Sequence, residues 1–218
     1  MLELFKAGGW LMIPLFICSV ISIAIIAERF WSLQQKRIAP PELVTQIWQW
    51  LKYKQVDASR IKALQANSPL GQILASGLIN RNSSREITKE SIEDIGRHVT
   101  VALERNLNTL GTVAAISPLI GLLGTVIGMI KVFAVITAEG VGNPETLAGG
   151  ISEALITTAT GLVVAIPSLI FYRYFRGKIS KLVVGMEEQA MQLIEILHGD
   201  RQFDPDEEVR RESITTTV

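Results

Sequence analysis

Three long apolar blocks decide what this chain can fold into. They run over residues 9–27, 110–135 and 151–172, each near or above the run of about 20 residues that crosses a hydrocarbon core. Lipid offers no partner to backbone N–H and C=O groups, so each block is read as a helix that satisfies its own backbone. The charges of the 218-residue chain lie almost entirely between and after these blocks. A soluble core would disperse its apolar residues, and this sequence does not. The fold class expected is therefore all-α, an integral membrane protein with three transmembrane helices.

The first block competes with a secretory signal peptide. Glu3 offsets Lys6, the run is longer than a signal core, and Glu28-Arg29-Phe30-Trp31 follows directly in place of a cleavage site. Those residues read as an interfacial anchor after an uncleaved helix. Orientation follows from basic residues. Arg29, Lys36 and Arg37 follow the first block, Arg97 and Arg105 precede the second, and Arg173, Arg176, Lys178 and Lys181 follow the third. The stretch from Thr137 to Gly150 holds Glu139 and Glu145 and no basic residue. The positive-inside rule places the basic ends in the cytoplasm. The amino terminus (residues 1–8) and the turn over 136–150 then lie on the periplasmic side.

Two regions are expected in the cytoplasm. Residues 28–109 are opened by Pro40-Pro41, which bars a continuous helix from the first span. Helical stretches follow around Leu43, Ile47, Trp50 and Leu51, and around Leu70, Ile73, Leu74 and Leu78, with a polar turn from Asn80 to Ser84. Thr88-x-x-Ser91 reads as the start of a long helix. Its stripe of Ile92, Ile95, Val99, Leu103, Leu107 and Leu110 runs into the second span with no breaker before Gly111. Residues 173–198 continue the third span, with Ile179, Val183, Met186, Ala190, Leu193 and Leu197 spaced as a short coiled-coil-like seam. Two of the spanning helices are thus expected to extend into a cytoplasmic helical bundle. The tail, 199–218, is expected to be disordered.

No soluble chemistry is visible. Net charge is zero, which gives no reason to expect nucleic acid. The lone Cys18 reads as an apolar filler, and His98 and His198 have no ligand spacing. Gly121 to Thr125 lacks the lysine of a phosphate loop and sits in hydrocarbon. The reading is a non-enzyme with no catalytic residues, no metal and no cofactor.

The polar residues inside the spans carry the information. Glu153 in the third span is costly in lipid and points to a bundle interior or pore; an interfacial position near the helix amino terminus is the bland alternative. Thr157 and Thr160 fall on its face, with Thr158 beside it. In the second span Thr125 lies among Gly121, Gly124 and Gly128, a small-residue surface that lets another helix approach. With the turn centred near Gly142, Thr125 is expected level with Thr158 to Leu162. Thr125, Thr158 and Glu153 would then line one internal surface, the alternative for each threonine being a bond to its own helix. Lys131 falls near the depth of Glu153. An ion pair is one reading; its flexible stem favours snorkelling to the outer headgroups. Pro14, Pro118 and Pro167 each interrupt a span.

Two stretches carry a family resemblance. Ile120-Gly121-Leu122-Leu123-Gly124-Thr125-Val126-Ile127-Gly128 resembles the second-span motif of the ExbB/TolQ/MotA proton-channel family, and Gly150 to Leu162 with Ala165-Ile166-Pro167 resembles its third-span motif. The resemblance is nearest to ExbB. MotA-like members have four spans, where three are read here. It implies a homo-oligomeric ring, pentameric in the best described cases, around an ExbD-like single-span partner whose aspartate carries protons. It implies that Glu153, Thr125 and Thr158 line the proton pathway or contact that partner. Thr157 and Thr160, from their helix face, and Lys131, from its depth, are secondary candidates, and Lys131 is a charge the family motif does not require. The function implied is to energise a TonB-like protein from the inner membrane of a Gram-negative bacterium. A TolQ-like envelope-maintenance role and a membrane scaffold without ion flux are the alternatives.

Overall fold

The computed structural model describes residues 8–53, 55–140 and 144–199, and among these every regular element is helical. We number them α1 (Met12–Ser32), α2 (Gln35–Ile38), α3 (Leu43–Lys52), α4 (Ala58–Asn67), α5 (Pro69–Ile79), α6 (Arg85–Glu104), α7 (Leu107–Glu139) and α8 (Pro144–His198). Three of them, α1, α7 and α8, are long and apolar enough to cross a membrane. The chain forms two compact units. One comprises α1, α7 and α8 up to Gly177; the other comprises α2 to α6 and α8 from Lys178.

In the first unit many large apolar side chains point outward, although Leu15, Leu110 and Phe175 are fully buried. Phe16, Val20, Leu122, Phe133, Leu155 and Val163 are exposed, whereas small residues such as Ser22, Ser117, Ala154, Thr157, Ala165 and Ser168 are buried. Lipid solvates Leu as well as a protein interior does, so large residues gain little by turning in, and small ones let the backbones meet. Cys18 is buried within this packing. At one end an aromatic cluster joins α1 to α8: the Phe30 ring lies 5.6 Å from Phe171 and 5.1 Å from Phe175, both edge-on. Pro118 and Pro167 sit inside α7 and α8. Pro14 was expected to interrupt a span, but α1 begins at Met12 and puts it in the first turn. An N–H there has no intrahelical partner to lose.

The second unit is built around α5. Leu70, Leu74, Ala75 and Leu78 on this helix have no exposed surface. Its start is fixed by Pro69 at the first position and by Ser68, whose Oγ accepts from Gly71 N at 3.0 Å. Gly77 leaves room for Ile92 of α6 and Leu193 of α8, whose methyl groups lie 2.9 and 3.1 Å from where its Cβ would stand.

Several expectations are corrected here. The stripe from Ile92 to Leu110 is not one helix: α6 stops at Glu104 and α7 starts at Leu107, with Asn106 donating through Nδ2 to Glu28 Oε2 at 3.3 Å. Gly111 is no breaker; it lies inside α7 as a notch for the Tyr172 ring, 3.0 Å from its Cβ position. Thr88 does not start α6. That helix begins at Arg85, and Thr88 Oγ1 sits within reach of the Ser84 and Asn80 carbonyls, at 3.1 and 3.0 Å. Along α8 the seam buries Leu182 and Ile194, while Val183 and Leu197 are half-buried. The helix α4 was missed, because its sequence has no strong apolar stripe. The tail proposed as disordered lies outside the described residues beyond Gly199, as do residues 141–143 of the turn.

Candidate functional site

Helices α7 and α8 cross backbone to backbone, and glycines make that contact. A Cβ at Gly121 would stand 3.1 Å from Thr158 Cα, one at Gly124 would stand 2.6 Å from Thr157 Cβ, and one at Gly128 would stand 2.7 Å from Ala154 Cβ. On the facing helix, Gly150 receives Val132 and Gly161 receives the Ser117 carbonyl, with Cβ positions 2.6 Å away in each case. The small-residue surface read in the sequence is thus an α7–α8 interface. Its pairing puts Gly124 against Thr157, so the neighbouring Thr125 is level with that residue and not with Thr158 to Leu162. The turn between the helices is centred nearer Gly140, whose positive φ of 71° and N–H to the Ile136 carbonyl at 3.0 Å end α7.

Glu153 is the centre of the polar groups at this interface. Lys131 Nζ donates to both of its carboxylate oxygens, at 2.7 and 2.8 Å. The expectation that Lys131 snorkels away is overturned. The crossing brings α7 close enough for the ammonium to reach the carboxylate, and a charge pair in lipid spares both groups part of their desolvation cost. The Lys131 side chain is 51% exposed and that of Glu153 22%. One turn along α8, Thr157 is buried. Its single proton is shared between the Glu153 carbonyl at 2.7 Å and the Gly8 carbonyl at 3.0 Å.

The remaining threonines divide. Thr158 Oγ1 crosses to α7 and donates to the Gly121 carbonyl at 2.8 Å. Thr125 donates to Leu122 O at 2.6 Å and Thr160 to Ile156 O at 2.8 Å, each on its own helix. Thr125, Thr158 and Glu153 therefore form no single hydrogen-bonded ring in one copy of the chain. Glu153, Lys131 and Thr157 are the residues brought together.

Sequence reasoning missed two features. One is the Gly8–Gly9 segment that lies over Glu153, for which the adjacent glycines just before the first span were the signal. The other is a buried hydroxyl pair, Ser22 Oγ to Ser168 Oγ at 2.6 Å. Ser168 donates to the Val164 carbonyl at 2.6 Å, so Ser22 is the donor between them. Serines in otherwise apolar spans were its signal. Among the described residues no group of three or more His, Cys, Asp or Glu side chains is placed to hold a metal ion.

Three membrane-crossing helices, glycine-backed contacts and an acid paired with a lysine among them define a polytopic helical membrane protein with an internal polar seam. The model of the MotA/TolQ/ExbB proton channel family matches residues 65–188, and the chain belongs to that family. Among its relatives, the biopolymer transport protein named ExbB-like 3 of Synechocystis is 29% identical over 203 residues, covering 92% of this chain and 96% of the relative. ExbB-like 1 of the same organism is 30% identical over 194 residues, covering 88% and 73%. The biopolymer transport protein ExbB of Salmonella typhimurium is 30% identical over 163 residues, covering 66% and 67%.

Proposed function

We propose that this chain is the multi-span subunit of an ExbB-type motor, working as a homo-oligomeric, pentameric ring around an ExbD-like single-span partner in the inner membrane. The complex draws on the proton motive force and drives a TonB-like protein for outer-membrane transport. The observation that supports this most directly is the position of Glu153, an acid on a membrane-crossing helix of a proton-channel family member, held at a helix–helix contact. Each proton crossing the membrane releases about 2.3 kcal/mol per 100 mV of potential, before any pH difference is added. Charging and neutralising a partner's carboxylate beside this seam converts that release into rotation or tilt of the partner helix. Basic flanks favour an orientation with the amino terminus and the α7–α8 turn in the periplasm. The ExbB names of the relatives favour this output over a TolQ-like one.

The test is Glu153→Gln and Glu153→Ala, with ring assembly followed by the size of the solubilised complex. The expected result is normal assembly with loss of uptake that depends on the proton motive force. Full uptake in both variants would remove Glu153 from the working surface. Copurification from native membranes, followed by mass measurement of what accompanies the chain, identifies the partner. A TolA-like protein in place of a TonB-like one would reassign the output.

A further inference from the structure

The Glu153 carboxylate is flanked from two sides. On one side stands the Lys131 ammonium, 2.7 Å from Oε1. On the other lies the turn that leads into α1. Gly9 has φ +69°, the left-handed region that side-chain-bearing residues avoid, and a Cβ there would run into Glu153 Oε1 and stand 3.0 Å from Cδ. Gly8 is less firmly confined: its Cβ position is 2.6 Å from Met12 Cγ and 3.3 Å from Ile156 Cγ2, but its nearest neighbour is a flexible side chain. Its carbonyl accepts from Thr157 at 3.0 Å, which fastens the turn to the helix carrying Glu153.

We infer that the Gly8–Gly9 turn and Lys131 form a clamp that positions the Glu153 carboxylate, making all three positioning residues for the proton pathway. The inference rests on the reading of Glu153 as a pathway group. The two jaws differ. The glycine jaw is backbone, fixed in shape by its conformation and by the Thr157 bond. The lysine jaw is a flexible side chain with half its surface exposed, so it is the side from which the carboxylate is released. The clamp also ties the entry of α1 to α7 and α8 at one point, so displacing any of the three segments moves the acid.

The experiment uses the full chain with its partners in native membranes and two readouts: labelling of Glu153 by dicyclohexylcarbodiimide, read by mass spectrometry, and uptake driven by the proton motive force. Gly9→Ala and Lys131→Met are each expected to raise labelling several-fold and to lower uptake about tenfold or more, as expected for a misplaced reacting group. Lys131→Arg, which keeps the charge pair, stays near the unmodified protein in both. Adding Glu153→Asp to Gly9→Ala shortens the acid by one methylene, clears the new Cβ and recovers part of the uptake. Unchanged labelling in Gly9→Ala and Lys131→Met, in complexes of normal size, overturns the clamp. So does an Arg variant as impaired as the Met variant. If labelling rises but uptake is normal, and Glu153→Gln also transports normally, the clamp stands and the pathway reading falls.

Discussion

The helix α8 runs through two packing regimes with one spacing. From Ala154 to Ser168 its inward positions are Ala154, Thr157, Gly161, Ala165 and Ser168, before the buried Phe175 of the aromatic cluster; beyond Gly177 they are Ile179, Leu182, Met186, Ala190, Leu193 and Ile194. Both sets recur at threes and fours, yet the first holds only small residues, two of them hydroxylated, and the second is mostly large and apolar. The difference is the solvent each was built for. In water, burying Leu and Ile is what stabilises the unit, at about 25 cal/mol per Å² removed. In lipid that gain vanishes, and close backbone approach with hydrogen bonds to carbonyls takes its place. The same period therefore hides two physical causes.

The comparison can be broken at single residues. The largest expected effect is in the second unit: Leu193→Ala removes a fully buried side chain and should destabilise that unit by about 2–5 kcal/mol. Hydrogen exchange on the full chain would show it as faster exchange of the α5 and α6 amides. Next is Gly124→Leu in the first unit, where adding bulk against Thr157 should cost about 1–3 kcal/mol, seen as a lower thermal midpoint in lipid nanodiscs. The contrast sharpens with Leu122→Ala, two residues away on a side chain 58% exposed: its midpoint should not move in a single copy. The smallest expected effect is Ser22→Ala, which removes one interhelical hydrogen bond worth about 0.6 kcal/mol, measurable in the same unfolding assay. If Leu193→Ala proves milder than Gly124→Leu, the assignment of driving forces to the two units is reversed.

This contrast also explains what could be read from the sequence. The spans were legible because continuous apolar character is a strong signal, and so was α5, which is apolar around nearly its whole circumference. The end of α6 was not, because the apolar stripe continues across Arg105 and Asn106 and only the local backbone breaks there. The glycine face of α7 was legible in its spacing, but its partner residues were misplaced because the turn was centred too late. The Lys131 pairing was misjudged for another reason. Sequence gives the depth of a lysine in a span, but not the helix rotation that decides between a headgroup and an acid on the next helix. The Gly8–Gly9 pair hinted at a turn, but nothing in a local pattern says which distant carboxylate a glycine must clear.

The way the hydroxyls are committed has an electrical consequence. Ser117, Thr125, Thr157, Thr158, Thr160 and Ser168 each have a backbone carbonyl within bonding reach to take the proton. A Grotthuss wire needs each hydroxyl to hand its proton to the next one; Ser22 does so to Ser168, but Ser168 and the others hand theirs to the main chain. The hydroxyls of one copy thus supply no continuous relay of their own through the spans, and vesicles holding isolated single copies are expected to keep an imposed proton gradient.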